Sequence, residues 1–175
     1  MKKLVALVLA LAMALCCVAA VAEEAGVYVG LGSVTSFGHY DVDQAEEGKD
    51  GSCEVDTTMA IVAVDENGVI AYAKIDVAQN KVTWNATGAC TLDKTAPTPT
   101  KWEKLDAYNM KPASPIGKEW YEQATAFADW MVGKTVEEVK AGVEAKDEAL
   151  LAGCTMSTGD MVAAVEKAVA DALGK

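Results

Sequence analysis

The chain has 175 residues, with 26 acidic side chains against 15 basic ones, no arginine and a formal net charge of −11. A surface this acidic, without guanidinium forks, is a poor candidate for binding nucleic acid or anionic membrane surfaces. The length suits one compact domain with its own hydrophobic core.

The N-terminus reads MKKLVALVLALAMALCCVAAVAEEAG: two lysines, a long apolar run, then Ala20-Val21-Ala22 ahead of Glu23-Glu24. This layout predicts a secretory signal peptide over residues 1–22, cleaved after Ala22. Cleavage leaves 175 − 22 = 153 residues, 23–175, as a single domain whose charge is 13 − 26 = −13. Lipidation at Cys16 or Cys17 is the alternative, against which stand Leu15 and Cys16 in positions normally held by a small residue. An uncleaved anchor is the third. No later apolar segment is long enough to span a bilayer.

In the mature chain, VYVGLGSVT (27–35) predicts a first strand whose glycines allow a bend or close backbone approach. GHYDVDQAEEGKDGS is polar and predicts a solvated loop containing His39. Two strands, 53–65 and 69–77, are expected around a tight Asn67-Gly68 hairpin. Val69, Ala71, Ala73, Ile75 and Val77 are placed on one face by period-two alternation. A further strand over 81–87 is expected after a turn at Gln79-Asn80. Such an up-down-up meander puts Cys53 and Cys90 at opposite ends, which disfavours a bridge between them. Cys53, Cys90 and Cys154 are an odd set, leaving at least one thiol unpaired within the chain. Their spacing fits no metal site.

Residues 91–117 hold Pro97, Pro99, Pro112 and Pro115 and predict a long irregular crossing. From Lys118 the period becomes 3.6, with Trp120, Ala124, Phe127 and Met131 on one stripe and Gly133 as the stop. Thr135 and Glu138 form a capping box for a short helix to about Ala145. A last helix runs from Gly159 to Leu173, with Met161, Val165, Ala168, Val169 and Ala172 facing inward. The fold class expected is α+β: an antiparallel meander with C-terminal helices packed on one face.

The stretch LLAGCTMSTGDMVAAVEKA (150–168) resembles the FMN-binding domain family of exported bacterial flavoproteins. In that family a run Asp-x-x-Ser/Thr-Gly-Ala-Thr/Ser precedes the last helix, and a flavin transferase joins FMN through its phosphate to the final threonine. In register, that threonine is Thr155 and the glycine Gly153, with Ala149, Ala152 and Cys154 departing from the pattern. The hairpin IVAVDENGVIAYAKID is similar to that family's strand-turn-strand. YNMKPASPIGKEWYEQATAFADWMVGKTVEEV is similar to a segment of secreted and lipid-anchored flavoproteins of Gram-positive bacteria tied to extracellular electron transfer.

The resemblance implies a secreted or cell-surface bacterial FMN carrier passing electrons from a membrane redox donor to an external electron acceptor. Gly153, Cys154, Thr155, Ser157 and Thr158 would receive the phosphate at a helix N-terminus, where unpaired N–H groups and the dipole favour an anion. Tyr108, Met110, Trp120 and Tyr121 would supply a wall for the isoalloxazine. The alternative is a flavin-free extracytoplasmic binding or scaffold module of the same fold. Blander readings stand beside each residue: Ser157 and Thr158 as helix caps, Trp120 as core, Cys154 as a small buried residue, Asn85-Ala86-Thr87 as strand polar face, and Glu137-Glu138 as a solvated helix face. A nucleophilic hydrolase lacks both a base other than His39 and a recognisable motif.

Overall fold

The computed structural model describes residues 26–40, 50–93 and 95–175. The signal peptide, the lipidation alternative and most of the polar loop lie outside the described residues. Three strands, β1 (Tyr28–Tyr40), β2 (Gly51–Val64) and β3 (Ile70–Trp84), form an antiparallel sheet in the order β1-β2-β3. Five helices follow among the described residues: α1 (Lys101–Lys104), α2 (Trp120–Met131), α3 (Val136–Glu144), α4 (Glu148–Gly153) and α5 (Gly159–Ala172). The α+β class expected from sequence is the architecture observed.

One sheet face carries the core. In register, Val64–Ile70, Val62–Ala73, Ala60–Ile75 and Thr58–Val77 point inward and are buried. The predicted α2 stripe of Trp120, Ala124, Phe127 and Met131 packs there, as do Met161, Val165, Ala168 and Val169 of α5. α5 lies directly on β1. A Cβ on Gly30 would stand 2.0 Å from the Ala168 carbonyl oxygen, and one on Gly32 would stand 2.1 Å from that of Ala164. Only glycine permits helix and strand backbones to approach so closely.

Several expectations are corrected. The turn at Gln79-Asn80 does not occur: residues 81–84 of the expected separate strand are the end of β3, and 85–87 form a turn beyond it. Gln79 and Asn80 stay in register with Asp56 and Val55, and no glycine or proline breaks the ladder there. The hairpin is wider than expected. Asp65 Oδ1 accepts from the N–H groups of Asn67 and Val69, and Gly68 has positive φ while Asn67 does not. This side-chain-stabilised turn replaces the two-residue turn in which both Asn67 and Gly68 have positive φ. A bulge then shifts the alternation, so Ile70 is buried and Ala71 exposed.

His39 lies in β1, in register with Glu54, rather than in a loop. Cys53 pairs with Val82 and Cys90 bridges to Trp84, so these cysteines sit at the same end of the sheet, not opposite ends. β3 lies between them, and Cys53, Cys90 and Cys154 are free thiols. Asn85 is not a strand residue: its Oδ1 gathers Thr87 N–H, Thr87 Oγ1 and Ala89 N–H in a turn.

The proline-rich crossing contains regular pieces. Thr100 and Glu103 make a reciprocal capping box that starts α1, and two 3₁₀ turns follow at Leu105–Tyr108 and Lys111–Ala113. α4 was not expected. It begins at Asp147, whose side chain accepts from the N–H groups of Ala149 and Leu150, and it ends on Gly153.

Candidate functional site

Helices α2 and α5 start at the same end of the sheet. At its far end α2 hands over to β3 through Gly133 N–H to the Ile70 carbonyl, 2.8 Å. α5 begins where Asp160 accepts from Ser36 Oγ at 2.7 Å and ends where Asp171 accepts from Leu31 N–H at 2.9 Å. Between the two helix starts and the sheet lies a cavity of about 370 Å³. Its floor is Asp56, Thr58 and Val77, its walls are Lys101, Tyr108, Met110 and Trp120, and its rim is Met156, Ser157, Gly159, Asp160 and Met161. The volume lies at the small end of the range for organic ligands.

Two buried polar side chains hold the walls. Glu119, 3% exposed, caps α2, and its carboxylate accepts from the N–H groups of Met110 (2.8 Å) and Lys111 (3.0 Å). Gln123 is fully buried. Its amide nitrogen donates to Ser114 Oγ and the Lys118 carbonyl, and its oxygen accepts from Thr155 N–H at 2.9 Å and Thr155 Oγ1 at 3.3 Å. The crossing, α2 and the segment before α5 are thereby joined through one amide.

Charge in the cavity is mixed. Lys101 Nζ stands 5.3 Å from the Tyr108 ring centroid and 6.0 Å from that of Trp120. Burial raises the Asp56 carboxyl above its ordinary range. Lys101 opposes that shift, Glu54 and Asp160 reinforce it, and a Gln79 hydrogen bond opposes it. Asp56 Oδ1 is buried and has no hydrogen-bond partner among the described residues. Such an acceptor suits a ligand that brings its own N–H or O–H. Between the rim residues Ser157 and Gly159, buried Thr158 is the α5 N-cap but makes no side-chain capping bond, so capping is not what its hydroxyl does.

Tyr108, Met110, Trp120 and Ser157 thus meet around one cavity. Trp120 serves both readings, being 3% exposed within the core cluster and also part of the wall. Thr155 is exposed beside the rim residue Met156 and does not itself line the cavity. Gly153, Cys154 and Thr158 do not line it either. Gly153 closes α4 against α2, where an added Cβ would stand 2.7 Å from Ala126 Cβ. Cys154 is buried, and burial pushes its thiol above the ordinary range, which favours the inert protonated form. Tyr121 stacks edge-on with Trp102 and hydrogen-bonds Asp106.

Lys101, Asp56, Glu119 and Gln123 were not anticipated. The Thr100-x-x-Glu103 capping box was legible and would have placed Lys101 on a helix. The inward row Val64, Val62, Ala60, Thr58, Asp56 follows from period two alone. Nothing in the sequence distinguishes Gln123 from any other helical glutamine. Among the described residues no cluster of three metal-ligating side chains occurs, and no helix is long and apolar enough to cross a membrane.

No family model matches the chain, and no solved structure matches it. Over 41 residues, 23% of its length, it is 49% identical to a chlorophenol reductase of Desulfitobacterium hafniense. That stretch spans 12% of the reductase.

Proposed function

We propose that the protein is an exported FMN-binding electron-transfer protein, holding the flavin ring in the cavity between α2, α5 and the sheet. The carrying observation is the convergence of Tyr108, Met110 and Trp120 with Ser157 and the start of α5, next to an exposed threonine, Thr155. The residues present fit the group. The wall is aromatic and apolar, and Asp56 Oδ1 offers a buried acceptor to an imide-like N–H. Lys101 and the uncapped N–H groups of α5 favour a phosphate. The Thr155 hydroxyl, held by Gln123, lies one residue from the rim, where a phosphoester would leave the ring within reach of the cavity.

FMN when bound supplies the redox chemistry; this chain's residues bind, orient and shield it. Lys101 offsets negative charge in the cavity, Glu119 fixes the Met110 wall, and Gln123 fixes the anchor segment. The acidic surface favours encounters with positively patched donors and acceptors over anionic ones.

One observation favours the flavin-free module instead: Gly153 is already accounted for by its contact with Ala126. The two readings separate when the precursor is expressed in a host that exports it and supplies a flavin transferase. The expected product is fluorescent on a denaturing gel, with an intact mass higher by one FMN less one water, and Thr155→Ala abolishes both signals. A bare polypeptide mass rules out covalent attachment, and fluorescence that survives Thr155→Ala places the linkage elsewhere.

A further inference from the structure

Helices α2 and α5 pack on one face of the sheet; on the other, β1 and β2 expose an apolar surface. On β1, Val29 and Leu31 are 62% and 64% exposed, and across from Leu31 on β2 Ile61 is 43% exposed. Tyr72, in register with Ala63, extends the surface onto β3, and Val55 and Val82 extend it toward the other end. From the pair Val29–Ala63 to the pair Thr35–Thr57, no outward position on β1 or β2 carries a charge. The charges on this face, Lys74 and Asp76, sit on β3 and are engaged with Trp102, whose ring and N–H they contact.

An exposed stretch of β1 and β2 without a charge, in a chain of net charge −11, marks a surface that is covered in the working protein. We propose that a second copy of the chain covers it, the two sheets packing face to face across a two-fold axis. Strands of 13 to 15 residues, three abreast, give each copy roughly 40 by 14 Å of face, about 600 Å². Two copies bury roughly 1,200 Å², the lower limit for a stable interface. Aligned face-to-face packing of twisted sheets is a standard geometry.

Strand addition at β1 is opposed by named contacts. An added strand at the free edge of β1 meets an edge already used: Leu31 N–H donates to Asp171 and the Ser33 carbonyl accepts from Lys167 Nζ. Acidic surfaces repel a second copy and an anionic lipid surface alike, so self-association is confined to this face, where β1 and β2 carry no charge between Val29 and Thr35. The cavity opens on the helix side, so dimerisation leaves it accessible and does not depend on what it binds.

The test is sedimentation velocity of the exported, processed protein from about 1 to 100 µM, with Leu31→Glu/Ile61→Glu and, as a milder pair that retains strand propensity, Leu31→Thr/Ile61→Thr. The native chain is expected to move to twice the monomer mass across this range, and to do so at lower concentration as salt rises. Either pair raises the dissociation constant at least about 30-fold while far-UV circular dichroism is unchanged. If the glutamate pair does not fold, the threonine pair decides. A native chain that stays monomeric throughout overturns the proposal, as does a dimer that both pairs leave intact. A monomer that floats with neutral phospholipid vesicles assigns the face to lipid instead and also overturns it.

Discussion

Gly32→Ala tests how α5 is seated and, with it, how the cavity is built. The new Cβ would stand 2.1 Å from the Ala164 carbonyl oxygen and 2.5 Å from the Ala168 nitrogen, both backbone atoms that no rotamer change can move. Ordinary contact begins near 3.4 Å, so α5 must recede by roughly 1.3 Å over its middle. A gap of ~0.5–1 Å already forfeits a quarter to a half of the dispersion contact, so this one forfeits about half or more along the interface. Met161, Val165 and Val169 each contribute about 2 kcal/mol by burial, about 6 together, so the loss is about 3 kcal/mol. For a domain of this size that lowers the melting temperature by roughly 5–10 °C. Thermal and urea unfolding followed by circular dichroism measure it. Gly159→Ala is the control, since its Cβ meets nothing within 4 Å, and it should leave stability level or slightly raised. A Gly32→Ala protein within about 0.5 kcal/mol of native refutes the close-approach account of β1 and α5.

Gln123→Leu removes both arms of the buried amide and leaves Thr155 N–H without its acceptor, so it should cost about 2–4 kcal/mol in urea unfolding and speed amide exchange at Thr155. Because burial holds the Asp56 carboxyl above its unfolded value, the native state is favoured below the unfolded pKa and that favour is lost as pH rises through the folded pKa. Asp56→Asn should therefore raise the melting temperature at pH 7 and lose the gain near pH 3, as a pH series of thermal scans would record. Asp147 has the opposite sign. Backbone N–H groups of Leu150 and Ala149 hold its carboxyl low, so Asp147→Ala should lower the melting temperature at neutral pH and matter less as pH falls through the folded pKa. In a thiol titration of the native fold, exposed Cys90 should react promptly and buried Cys154 only on unfolding.

The elements legible in the sequence were those that one local signal decides. The Trp120–Met131 stripe, the Thr135–Glu138 box and the inward face of the last helix were each written in a spacing, and each is observed. β3 was split because Gln79-Asn80 looks like a turn to a local reading; the ladder with Asp56 and Val55 holds it extended, and that pairing is non-local. α4 was missed because six residues make fewer than two turns, too few for an apolar stripe to repeat, and its start depends on the Asp147 cap. At the site, Tyr108, Met110, Trp120 and Ser157 were grouped in advance, whereas Gly153 reads equally as phosphate approach or helix packing until Ala126 is placed beside it. Gln123 joins segments up to 32 residues apart, and only the folded arrangement reveals that.

FMN binding in the cavity is tested most directly by titrating the flavin-free protein, produced without a transferase, into FMN and following flavin fluorescence. Saturable quenching at one FMN per chain, weakened at least about tenfold by Met110→Glu and unaffected by substitutions on the outer sheet face, is the predicted result. No quenching by a protein that is folded by circular dichroism, or quenching that Met110→Glu leaves unchanged, would contradict it.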